Sequence, residues 1–238
     1  MTQTLTRSET LQTDSIGELV DSPLFDVTWE QQDITFPLAT FDPLSDAEPH
    51  LTEVRLSAEV LERALRFVSL SCEWSLASSA TSSGRSLDGE FHLPHLYLAL
   101  VRDAPRYNDL ASERERALLA GLRMIDSAPS RASGEAAFIR VEPHKDTLEI
   151  WYQDRYLFHE DHNTQGFLRM DLSYPEYLDV LQLTKGVFGW QLLFVDVSLS
   201  EPDLRPHLES VTTMLEVFPS VFPQHDYAPL QGRLAARL

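Results

Sequence analysis

The chain has a single cysteine, Cys72, in 238 residues. An internal disulfide is therefore impossible, and no cysteine-rich zinc motif can be assembled. Cys72 lies in the apolar run from Phe67 to Leu76, where a free thiol acts as a small inert hydrophobe. Glycine is also scarce, nine in all. No Gly-x-Gly-x-x-Gly follows a strand-like run, so the common dinucleotide loop is excluded. The polar stretch Ser78 to Gly89 reads as a loop. It lacks the Gly-x4-Gly-Lys-Ser/Thr spacing that cradles phosphates, and Gly84-Arg85-Ser86 does not supply it. No serine stands in Gly-x-Ser-x-Gly, and Cys72 has no base beside it, so the usual signatures of nucleophilic catalysis are missing. Nothing in the sequence requires a cofactor.

Basic residues are few. There are 19 of them against 37 acids, a formal charge of −18, and only Lys145 and Lys185 are lysine. Phosphate backbones and anionic membrane surfaces need clustered cations, so nucleic acid and membrane are both excluded as partners. What remains is solubility through self-repulsion, or a basic protein partner steered in by an acidic field. Residues 1–50 carry ten acids and one base, Arg7, which is half of the net charge. The first ten residues, MTQTLTRSET, have no apolar core of a signal peptide. The all-apolar run Val187 to Val195 is too short for a bilayer, which takes roughly 20 residues. A cytoplasmic location is the expectation.

The patterning predicts an α+β fold, with one antiparallel meander flanked by helices and the C-terminal helices packed on the sheet. Residues 1–20, rich in Thr, Ser and acids, read as a flexible acidic tail. Residues 21–238 read as one α+β domain. Spaced apolar residues over 24–44, broken by Pro37 and Pro43, predict one or two short edge strands. Ser57 caps a helix predicted to reach Leu70, and Leu93-Pro94 opens a short one to about Arg102. Ser112 with Glu115 is a capping box for a helix carrying Leu118, Leu119, Leu122 and Ile125. The period then changes from 3.6 to 2. Ala136–Val141, Leu148–Gln153, Arg155–Glu160 and Phe167–Leu172 are short and alternating, and predict three or four meander strands.

The stretch Asp171 to Val197 is the most apolar and aromatic part of the chain, and its chemistry is that of a core. Ser173 and Glu176 form another capping box, with Pro175 in the first turn. Tyr174, Tyr177, Leu178 and Leu181 make one apolar stripe. Gly186 suits the end of that helix, and Lys185 suits the negative end of its dipole. Val187 to Val195 is expected to be a buried helix. Ser200 and Asp203 start the last helix, with Leu204, Leu208, Val211, Leu215 and Phe218 inward, and RLAARL is left as a basic tail.

His159-Glu160-Asp161-His162, with His144 nearby, could bind a divalent metal and serve a metal-assisted hydrolase. The spacing is not the helical His-Glu-x-x-His pattern, and on a strand i and i+3 point to opposite faces. His92 and His95 are a second pair, with no carboxylate beside them. Trp151, Tyr152, Tyr156 and Phe158 recur along the meander. An exposed aromatic among acids is a hot-spot type of surface. The residues expected to contact a partner are Trp151, Asp154, Tyr156, Glu160 and Asp161.

The block L-x-Y-x-E-Y-L-x-x-L-x-x-T-K-G-V-F-G-W-Q-x-L-F, at Leu172 to Phe194, resembles the end of bacterial proteins of the SMI1/KNR4-like (SUKH) superfamily. Leu93-Pro94 with Tyr97 is similar to that family's Leu-Pro-x-x-Tyr segment. The family's following Asn-Gly-Gly turn is replaced by Asp103-Ala104-Pro105. The resemblance implies a non-enzymatic α+β domain that binds another protein, as members do that neutralise contact-delivered toxins. The leading expectation is a protein-binding module, an immunity protein holding a basic toxin. The alternatives are the metal-assisted hydrolase and a regulatory subunit of a larger assembly.

Overall fold

A computed structural model describes residues 4–35, 54–77, 86–106, 112–131, 134–142, 148–154, 157 and 166–238. Thr6 accepts from the Glu9 N–H and Glu9 returns the bond to Thr6 N, a capping box that starts α1 (Arg7–Val20). Residues 7–20 are thus a helix, not the expected flexible tail. The hydrophobic pattern is silent here because the buried face is largely polar: Ser8, Glu9, Gln12 and Ser15, with Ile16 and Leu19. Long-range bonds satisfy that face. Gln12 donates to Leu178 O, Ser15 to Gln182 O, and buried Glu9 receives Arg66 through its side chain and backbone.

β1 (Phe25–Gln31) is an edge strand, as expected for the first part of 24–44; residues 36–53 lie outside the described residues. Ser57 caps α2 (Ala58–Arg63), and the chain turns extended at Ala64. The helix expected to reach Leu70 therefore stops early. Leu70, Cys72 and Trp74 instead point inward from β2 (Ser69–Leu76), with Glu73 and Ser75 outward. β2 pairs with β1 on one side and β3 (Asp88–Pro94) on the other, both antiparallel. His95 caps the short α3 (Leu96–Leu100).

The Ser112–Glu115 box forms and starts α4 (Glu113–Gly121). Leu122, expected in that helix, begins β4 (Leu122–Ser127). Arg123, buried, donates to Leu100, Ala120 and Leu122 carbonyls and so satisfies the ends of α3 and α4. β5 (Ala136–Arg140), β6 (Glu149–Gln153) and β7 (Phe167–Arg169) complete an antiparallel meander in the order β4-β5-β6-β7. The α+β class holds. The strands, however, form two sheets rather than one, three-stranded and four-stranded, and neither is a closed barrel.

α5 (Tyr174–Thr184) starts at the Ser173–Glu176 box with Pro175 in its first turn. It ends at Lys185, which takes a left-handed backbone (φ 52°). That bend turns Lys185 inward rather than toward solvent at the helix end. Its carbonyl accepts from Trp74 Nε1 at 2.6 Å. Its ammonium donates to Ser15 O at 3.1 Å, Ser15 Oγ at 3.0 Å and Glu18 Oε2 at 2.6 Å. The same ammonium sits 4.5 Å from the centre of the Phe222 ring. The next residues run beside β3: Glu90 N donates to Gly186 O, and Gly89 bridges Val187. Trp190–Phe194 is then a buried 3-10 helix, shorter and tighter than the helix expected.

A 3-10 turn at Pro202–Leu204 leads into α6 (Arg205–Val221), which continues through Pro219. The expected basic tail is instead α7 (Ala228–Arg237), with Leu230 buried. One hydrophobic cluster joins α1, both sheets, α5 and α6, and includes Trp74, Tyr152, Trp190, Met214 and Phe218. A smaller one of Leu119, Leu122, Ala136, Phe138 and Phe167 lies under α4.

The core is tight at Gly89. A Cβ there would lie 2.5 Å from the Trp74 indole. Gly89→Ala should lower stability by about 1–3 kcal/mol through overpacking, seen as a lower urea midpoint at unchanged m. An unchanged midpoint would contradict this packing.

Candidate functional site

Paired residues of neighbouring strands share a face. The register therefore places Asp26, Ser75 and Asp88 in one row, Thr28, Glu73 and Glu90 in the next, and Glu30, Ser71 and His92 in the third. This is the side of the three-stranded sheet away from Trp74. It carries five carboxylates, and His92 is the one basic side chain its strands supply. Asp26, Glu30 and Glu73 are exposed. The 3-10 turn Pro129–Arg131 leans over one side: Ser130 binds Glu90 and Glu73, and Arg131 pairs with Asp88. Between that turn and Trp29 of the edge strand lies a recess of about 200 Å³, with Glu30, Glu73, Glu90 and His92 among its lining. Trp29 is 46 % exposed, and its register with Cys72 puts its side chain on the Trp74 side of the sheet. Burial lowers the pKa of His92, and Arg102 adds to the effect, so this face gains no cation near neutral pH.

A second group of polar side chains is buried where the two sheets meet. Strand β4 bulges between Met124 and Asp126 and runs beside β3. The Asp126 carboxylate accepts from the backbone N–H of His92 at 2.9 Å and of Ser127 at 2.8 Å, and from the Tyr177 hydroxyl at 2.7 Å. Burial pushes the Asp126 carboxyl up to about 7, against the lowering effect of those three donors. Deeper in, the Tyr152 hydroxyl is 2.8 Å from Glu135 Oε1 and 3.1 Å from Asp154 Oδ2. His207 Nε2 is 2.7 Å from that same Asp154 oxygen. Burial, then the two carboxylates, raise the Tyr152 pKa well above the ordinary phenol value, so it keeps its proton.

His207 is held by its neighbours. Its ring stacks on Phe188 at 4.3 Å, and Arg131 lies 4.6 Å from the other ring's centre. Gly189 (φ 77°) passes so close that a Cβ would meet the imidazole at 2.7 Å. The sequence reading did not single out His207. A signal was present: with Leu204, Val211, Met214 and Phe218 it occupies a position of the apolar stripe of α6, where a polar side chain needs a buried partner.

Of the five predicted contact residues, Trp151 and Asp154 lie among the described residues. Asp154 is 1 % exposed, committed to Tyr152 and His207, so it cannot be a surface contact. Trp151 is half-buried against the cluster under α4, and its Nε1 donates to Glu149 at 3.3 Å. Tyr156, Glu160 and Asp161 lie outside the described residues, as do His144, His159 and His162. His95 is buried and its Nδ1 accepts from Tyr97 N at 3.2 Å. Cys72 is buried, and burial pushes its thiol up to about 12, which fits the inert role expected. No helix among the described residues is long and apolar enough to cross a membrane. No protein-family model, curated protein or solved structure matches the chain.

The raised Asp126 pKa has a defined sign. Between its ordinary 3.8 and about 7 the folded chain binds the proton that the unfolded chain releases, so this group's contribution to stability falls as pH rises through that window. His92, lowered from 6.5, acts in the opposite direction. The difference between wild type and Asp126→Asn isolates the carboxyl. Urea unfolding at several pH values should show wild type losing stability relative to the variant from about pH 4 to 7, at up to about 1.4 kcal/mol per pH unit. A pH-independent difference would contradict the assignment.

Proposed function

We propose that this chain is a non-enzymatic protein-binding module whose acidic sheet face receives a basic protein. The observation that carries the reading is the outer side of β1-β2-β3, where Asp26, Glu30 and Glu73 are exposed and Asp88 and Glu90 stand in the same rows. Glu30 and Glu73 line a recess of about 200 Å³. A hollow of that size suits an arginine or lysine side chain, whose charge these carboxylates would pair. The charge of −18 adds a long-range field of the same sign.

The chain's resemblance to SMI1/KNR4-like proteins points the same way, to an immunity protein that blocks a basic toxin. A tagged chain should capture a stoichiometric basic protein from its own lysate at low salt. It should lose that protein at about 0.5 M salt, where exposed charges are screened. Glu30→Lys combined with Glu73→Lys should weaken the complex by about tenfold or more, mainly through slower association. No capture, or equal capture by the double variant, would overturn the proposal.

A further inference from the structure

We propose that Glu135, Asp154 and His207 form a site for one divalent transition-metal ion, of which Zn²⁺ is the probe. Each residue offers one ligand atom, and these atoms all lie within 4.8 Å of one another. One imidazole nitrogen with two carboxylates is a donor set that suits zinc and its first-row neighbours. Ligands about 2.1 Å from a tetrahedral ion stand roughly 3.4 Å apart, within reach of side-chain rotation from the present spacing.

The three residues come from three separate places. Glu135 directly precedes β5, Asp154 directly follows β6, and His207 stands in the first turn of α6. An ion there would tie α6 to the ends of two meander strands. All three are buried, at 6 %, 1 % and 0 % exposure.

One further observation points to a cation. Tyr152 brings two carboxylate oxygens to one phenol, Glu135 Oε1 at 2.8 Å and Asp154 Oδ2 at 3.1 Å. Two buried carboxylates held that close repel each other, and a cation shared between them offsets the repulsion. Glu135 also borders a partly open recess of about 10 Å³, the space of one water, with Asp126 and Glu90 on its walls. The ligands are also held from behind: Phe188 and Gly189 fix the His207 ring, and the Tyr152 hydroxyl touches both carboxylates.

The test uses the full chain after chelator treatment, with Zn²⁺ alone added and followed by calorimetry and thermal unfolding. One equivalent should bind, and an excess of about a hundredfold over Kd should raise the midpoint by about 5 °C. His207→Gln and Asp154→Asn should each weaken binding about a hundredfold or more. Glu209→Gln, on the exposed side of α6, should leave binding unchanged. Less than a tenth of an equivalent bound by wild type would overturn the proposal, and so would unchanged affinity in His207→Gln and Asp154→Asn. Should those variants fail to fold, Co²⁺ in the wild-type chain decides. Paramagnetic shifts must fall on a histidine ring protected from solvent exchange, and shifts on exposed rings alone would sink the site.

Discussion

The buried ammonium of Lys185 is the constraint around which the rest of the molecule is arranged. A lysine in a protein interior is unfavourable unless its charge and protons are all matched. Here three residues from two other elements supply the match: Ser15 and Glu18 from α1, and the Phe222 ring at the end of α6. The backbone of the same residue supplies a fourth link, since its carbonyl takes the Trp74 indole N–H from the central strand of the first sheet. Burial pulls the lysine pKa down and Glu18 works to raise it. Glu18 is raised by burial, but its bonds to Lys185, His225 and Gln224 outweigh that and leave it below the ordinary value. Each member of the pair therefore depends on the other.

The consequences reach both candidate surfaces. The left-handed turn at Lys185 sends Gly186 and Val187 along β3, which fixes Asp88 and Glu90 at one side of the acidic sheet face. It also places Phe188 and Gly189 against His207, so the imidazole is aimed at Asp154. The acidic sheet face and the buried histidine–carboxylate group thus share one structural support. Their surroundings differ: one presents charge to water, the other is enclosed.

Much of the fold was legible in the sequence where the determining physics is local. The capping boxes at Ser112–Glu115 and Ser173–Glu176 start helices where they were expected, and the change of period after Pro129 marks the meander. The failures are non-local. α1 hides because its inward face is polar and is satisfied by residues more than a hundred positions away, such as Leu178 and Gln182. The helix from Ser57 reads on to Leu70 because Ala64, Leu65 and Val68 fit a helical stripe, while the chain turns extended at Ala64 and pairing with β1 and β3 takes over at Ser69. Asp154 reads as a surface acid because nothing near it in sequence announces His207, 53 residues away. The acidic face itself needed the strand register: its five carboxylates are spread from Asp26 to Glu90 and converge only when β1, β2 and β3 align.

Lys185 holds α1 to the body of the molecule, and Lys185→Met with amide hydrogen exchange tests this most directly. Methionine keeps the length and loses the charge, leaving Glu18 without its strongest partner. The amides of residues 10–20 should then exchange far faster than in wild type, while those of β2 and β5 keep their protection, because local opening involves the element that lost its anchor. Unchanged protection in α1, or an equal loss throughout both sheets, would contradict the central place given to this lysine.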